Sequence, residues 1–159
     1  MTFGNEGEGA SAVSMGANEM YGAKFTSGAA GFATSMKVYA AKIFSNFNAK
    51  LVLVKHSDLT IVANGVGSAV SIGALGWYES TFVTPPAIEA STEYVLMMVV
   101  EASGNLRYSA GDTDQAHDDY TNNYGTPTNP TDANHGTRKY SIYCIYTPTA
   151  VGKSQGFIL

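Results

Sequence analysis

Charge is scarce in this chain. Of 159 residues only 14% are charged, and Lys+Arg 9 against Asp+Glu 13 give a formal net charge of -4. A protein that grips a phosphate backbone needs a basic face, so no nucleic acid is expected as a partner. Long apolar runs are lacking as well. The longest, Tyr94 to Val100, is bounded by Glu93 and Glu101 and falls far short of the roughly 18 to 20 residues of a membrane-spanning helix, so no membrane is expected either. One cysteine, Cys144, excludes an intrachain disulfide and a thiolate metal cluster. It sits in the alternating stretch Tyr140 to Tyr146, a strand setting that reads as a small buried hydrophobe rather than a nucleophile.

Processing and catalytic signatures are missing too. The opening Met1-Thr-Phe-Gly-Asn-Glu-Gly-Glu-Gly9 has neither the basic nor the apolar region of a secretory signal. The single Asn-x-Thr, at Asn129, carries Pro130 in the forbidden middle position. The expectation is a protein assembled inside a cell, with the extracellular surface as the alternative. No Gly-x-Ser-x-Gly elbow, phosphate loop or His-Glu-x-x-His occurs, and His117 has no second histidine at ligand spacing. No enzyme, no cofactor and no catalytic residue are expected.

What is present is apolar material for a core, 45% of the chain, distributed in short alternating segments. Strands are expected at residues 23–26, 35–43, 50–55, 60–63, 69–72, 76–82, 93–101, 106–110 and 139–146. Turn signals separate them, among them His56-Ser57-Asp58, Asn64-Gly65, Pro85-Pro86 and Ser103-Gly104-Asn105. Many short strands at this spacing, with little helix, point to an all-β antiparallel β-sandwich of jelly-roll type. Residues 21–148 form that sandwich, and 149–159 a C-terminal tail. Residues 1–20 are Gly-, Ala- and Ser-rich with isolated Phe3, Val13 and Met15; they read either as an extended N-terminal arm held by a neighbour or as the first strand of the same domain. Trp77 reads as a core anchor.

The segment 111–137 is rich in Asp, Asn, Thr, Gly, Pro and Tyr and shows no strand pattern. Loops of that length are usually functional or packed on a partner. It contains Asp112-Thr-Asp114-Gln-Ala-His117-Asp118-Asp119, but the glycine and glutamate that a calcium loop requires at its sixth and twelfth positions are absent. It reads as a solvated acidic loop, and no metal is expected. Tyrosines 108, 120 and 124 lie beside amides and carboxylates, which suits stacking on sugar rings. Tyr140, Tyr143 and Tyr146 read as core or interface residues.

The stretches Phe3-Gly4-Asn5, Ala23-Lys24-Phe25-Thr26, Gly76-Trp77, Glu93-Tyr94-Val95-Leu96, Arg107-Tyr108 and the closing Tyr140-Ser-Ile-Tyr-Cys-Ile-Tyr-Thr147-Pro148 resemble a loosely defined group of small all-β jelly-roll-like domains. Such domains occur in phage virion proteins and metagenomic surface proteins. The resemblance implies no enzyme activity. It implies a virion structural protein, a decoration (cement) or tail/fibre component, whose partners are copies of itself or other virion proteins. Phe3, Val13 and Met15 of the arm and Phe157, Ile158 and Leu159 of the apolar tip are then the candidate assembly contacts. The alternatives are a carbohydrate-binding module with Tyr108, Tyr120 and Tyr124 as its glycan platform, and a subunit of an extracellular fibre.

Overall fold

The computed structural model describes residues 1–131 and 134–151. Phe157, Ile158 and Leu159 lie outside the described residues, as does Asp132. In chain order the strands are β1 (Thr2–Gly4), β2 (Ser11–Met15), β3 (Met20–Thr26), β4 (Gly31–Lys42), β5 (Phe47–Lys55), β6 (Thr60–Val66), β7 (Val70–Ile72) and β8 (Gly76–Thr81). They continue with β9 (Ala87–Ile88), β10 (Glu93–Val100), β11 (Gly104–Ala110), β12 (Ala116–Asp119), β13 (Asn134–Gly136), β14 (Arg138–Tyr140) and β15 (Ile142–Pro148).

The chain is an all-β antiparallel β-sandwich, and it crosses repeatedly from one sheet to the other. In the first sheet β4 pairs on one side with β8 and β9, and on the other with β15 and, at its far end, β11. Strand β1 extends this sheet beyond β15, while β2 and β14 pair with β11. The second sheet runs β13-β12-β3-β10-β5-β6, with β7 also on β5. Between the sheets Met36, Val38, Leu51, Leu53, Leu96, Met98, Leu106, Tyr140, Ile142, Cys144 and Tyr146 form one core. Cys144 is buried there, and burial pushes its thiol up to about 12, so it is packing material at neutral pH.

Strand β10 explains its own uninterrupted apolar sequence. Tyr94, Leu96, Met98 and Val100 face the main core, whereas Val95, Met97 and Val99 face outward into a second cluster with Met20, Val52 and Val54. A strand buried on both faces has no polar alternation to show. Gly22 allows this packing: a Cβ there would lie 2.3 Å from the Leu96 carbonyl oxygen and 2.5 Å from Met97 Cγ. The outer cluster is roofed by Leu59, Ile61 and Val66 of the β5–β6 region and by Tyr124.

Of the two readings of residues 1–20 the strand of the same domain holds, and two further expectations are corrected. Residues 1–20 are part of the domain's own sheet: Phe3 is 7% and Met15 1% exposed, both inside the core, and Val13 packs against it. In place of the projecting contacts expected of them, these three side chains pack within their own domain; the alternation in β1 and β2 buries the isolated apolar residues while glycine and serine face out. The segment 111–137 is not structureless, since β12 pairs with both β3 and β13. The Asn64-Gly65 turn signal lies within β6, where Asn64 takes a φ of 63° and the register on β5 shifts between Val52 and Val54, a bulge rather than a turn.

Candidate functional site

Strand β12 carries the densest chemistry of the molecule, because its alternation throws polar side chains to both faces. Asp118 points inward and Asp119 outward, and both are buried, in contrast to the solvated acidic loop expected from sequence. Asp118 accepts the Tyr140 hydroxyl hydrogen bond at 2.9 and 3.1 Å to its two oxygens, and Arg138 Nη1 stands 3.5 Å from Oδ2. Burial pushes its carboxyl up to about 6, although Tyr140 and Arg138 pull it the other way. The Tyr140 phenol is itself raised by burial and by the Asp118 carboxylate, so it remains a donor.

Above this pair opens a cleft of about 320 Å³ lined by Asp118, Tyr120, His135, Gly136, Thr137 and Arg138. The ring of Tyr120 packs edge-on against Tyr21, 5.6 Å between centroids, and stays 46% exposed at the rim. Arg138 also lies over the Tyr108 ring, 5.3 Å from its centroid. Of the three tyrosines expected to form one platform, Tyr120 lines the cleft and Tyr108 sits behind Arg138. Tyr124 belongs elsewhere. It roofs the outer cluster, with Lys50 Nζ 4.7 Å above its ring.

Asp119 works on the opposite face as a clasp. Its carboxylate accepts from the Thr121 amide at 3.0 Å, Asn122 Nδ2 at 2.9 Å, the Thr131 amide at 3.3 Å and Thr131 Oγ1 at 3.1 Å. Burial alone would raise its carboxyl, but these hydrogen bonds outweigh it and hold it below the usual value. The two ends of the 120–131 segment are thereby tied to one group. Lys50 Nζ donates to the Tyr124 and Gly125 carbonyls, and the Ile61 amide to Asn129 Oδ1, which fasten the middle.

The chain's three histidines, far apart in sequence, meet on this face. His56 and His117 have ring centroids 5.2 Å apart and His117 and His135 4.7 Å. His56 Nδ1 is 3.0 Å from Glu93 and His135 Nδ1 is 3.7 Å from Asp114. The row is created by the pairings that run from β13 through β12, β3 and β10 to β5, whose end His56 follows, so no spacing rule could find it. Among the described residues no group of three or more His, Cys, Asp and Glu side chains is arranged to hold a metal ion.

On the first sheet a different surface appears. Tyr39, Trp77 and Tyr143 share its outer face, with centroids 5.2 Å apart for Tyr39 and Trp77 and 5.3 Å for Trp77 and Tyr143. Trp77 is thus partly buried on a sheet face rather than a core anchor, and Tyr143 separates from Tyr140 and Tyr146, which are in the core. Parity along the strands is the reason. Trp77 shares a face with Glu79 and Tyr39 with Lys37, a parity legible in the sequence, whereas Tyr143 is placed on the same face by its cross-strand pairing with Lys37. Lys37 and Glu79 form an ion pair at 3.8 Å beside the rings. No protein-family model matches the chain, and no curated protein matches it in sequence.

Proposed function

We propose that the protein is a non-catalytic structural protein that docks, through the outer face of its first sheet, against copies of itself and neighbouring subunits. Taken with the resemblance of its sequence stretches, the setting is a virion, in which it serves as a decoration (cement) or tail/fibre component. The observation that carries the contact reading is the Tyr39–Trp77–Tyr143 cluster. Tryptophan and tyrosine are the side chains enriched at the energetic centres of protein interfaces, and a charged pair at the edge of such a cluster is a typical rim. The ring planes favour a protein partner over a flat sugar surface. They meet at 41° and 68°, so they form a ridge with edges and faces both presented instead of one coplanar platform.

The test is Trp77→Ala in the full-length chain, followed by light scattering and negative-stain electron microscopy. Because Trp77 lies on the outer face and outside both core clusters, the variant is expected to stay folded. Self-association is expected to weaken by about 30-fold or more, the loss typical of a central interface residue. Equal association of wild type and variant would contradict the reading.

A further inference from the structure

We propose that the cleft above Asp118 is a binding site for a neutral sugar of monosaccharide size. None of the residues of the aromatic face lines it, so it is a second, separate surface, and it narrows the expected glycan platform to a defined pocket. Its floor presents an acceptor and a donor side by side: the Asp118 carboxylate, 5% exposed, and the Arg138 guanidinium 3.5 Å away. A carboxylate offers about four lone-pair sites and a guanidinium five N–H donors, more than the two groups exhaust on each other and on Tyr140. Vicinal hydroxyls fit such a pair, because each hydroxyl donates and accepts at once. A lone cation or anion would satisfy one partner and face the like charge of the other.

The rim supplies the apolar half of the recognition. Tyr120 is 46% exposed and held edge-on by Tyr21, so its ring is rigidly positioned to meet the C–H face of a pyranose. The cleft volume of about 320 Å³ lies at the lower end of the roughly 300 to 1,000 Å³ of small-molecule sites, which limits the occupant to about one ring. Charge selects among sugars. Asp118 lines the cleft, Asp114 stands 3.7 Å from His135 Nδ1, and Glu19 adds its field at the Asp118 carboxyl. Against the single guanidinium these carboxylates disfavour sialic and uronic acids. The carboxyl of Asp118, displaced by burial, has the environment common at ligand sites.

Saturation-transfer NMR and calorimetry with glucose, galactose, mannose, N-acetylglucosamine and, as the charged comparison, sialic acid test the assignment on the full-length protein. Saturable binding of at least one neutral sugar is expected, weakened about 10-fold or more by Tyr120→Ala and by Arg138→Gln and unchanged by Tyr124→Ala, which lies outside the cleft. Tyr120→Ala removes a rim residue, so a circular dichroism spectrum matching wild type separates lost binding from lost folding. No saturable binding by any neutral sugar overturns the proposal, as does an equal loss with Tyr124→Ala or a preference for sialic acid. Trp77→Ala leaves sugar binding intact, so failure here and failure of the assembly reading are read independently.

Discussion

Asp119→Ala is expected to cost about 3 kcal/mol of unfolding free energy and to release the 120–131 segment from the outer face. The carboxylate is 1% exposed and accepts from two backbone amides and three side-chain donors, the longest of them the Thr121 hydroxyl at 3.4 Å. Hydrogen bonds to a charged acceptor contribute about 1.5 to 3 kcal/mol each, and buried amides left without an acceptor cost further. These contributions are not additive, because the freed segment can expose its amides to water, which keeps the total far below their sum, near the value of one strong bond of about 3 kcal/mol. Against a typical total stability of about 5 to 15 kcal/mol the loss is large. Urea unfolding gives the magnitude, and amide hydrogen exchange locates it: residues 121–131 should lose protection while β4 and β10 keep theirs. The depressed carboxyl fixes the pH sign. Its contribution is present above the ordinary carboxylate value and disappears as pH falls through the folded one, so wild type and variant converge in acid. A loss under about 1 kcal/mol, or one that persists unchanged at pH 2, would contradict the clasp.

Asp118 should behave in the opposite way. Its carboxyl is raised from 3.8 to about 6 by burial, so the folded state binds a proton that the unfolded state has already released. Between those two values stability falls as pH rises, and at neutral pH the group is a cost to the fold. At 1.36 kcal/mol per pH unit of displacement the full effect is about 3 kcal/mol, reached only in acid below both values. The comparison is with Asp118→Asn, which keeps an acceptor for the Tyr140 hydroxyl and cannot titrate. From pH 7 down to pH 4 wild type should gain about 2 kcal/mol relative to the variant. The difference isolates Asp118, because every other titratable group is common to both proteins. A pH-independent gap would mean that Asp118 is not the group whose proton is linked to folding.

Much of the sandwich is legible in the residues, and where reading fails the reason is physical. The strands with one buried face, such as β11 and β15, announce themselves by alternation, and β10 by an apolar run between two glutamates. The first two strands are hidden because a glycine- and serine-rich sequence signals a strand only through Phe3 and Met15, and isolated apolar residues look the same in an arm. Strand β12 is hidden more deeply. Ala-His-Asp-Asp carries no strand propensity, and it holds its place because Tyr140, Arg138, Asn122 and Thr131 satisfy its carboxylates. Those partners come from other parts of the chain, so propensity has no access to them. The same holds for the cleft, where Tyr120 was recognisable as an aromatic beside carboxylates but Asp118 and Arg138 became neighbours only through the sandwich. Trp77 is the instructive case. Its type suggests a core, and its parity with Glu79 states the opposite.

The contact face is tested most directly by placing a photocrosslinking phenylalanine analogue at position 143 of the full-length chain and irradiating a concentrated solution, with position 124 as the comparison. Tyr143 lies in the aromatic ridge on the first sheet, whereas Tyr124 is packed onto the second sheet of its own chain. The account predicts covalent dimers and larger species from position 143, suppressed when Trp77→Ala is introduced, and little intermolecular product from position 124. Products in equal yield from both positions, or none from 143, would contradict a docking role for this face.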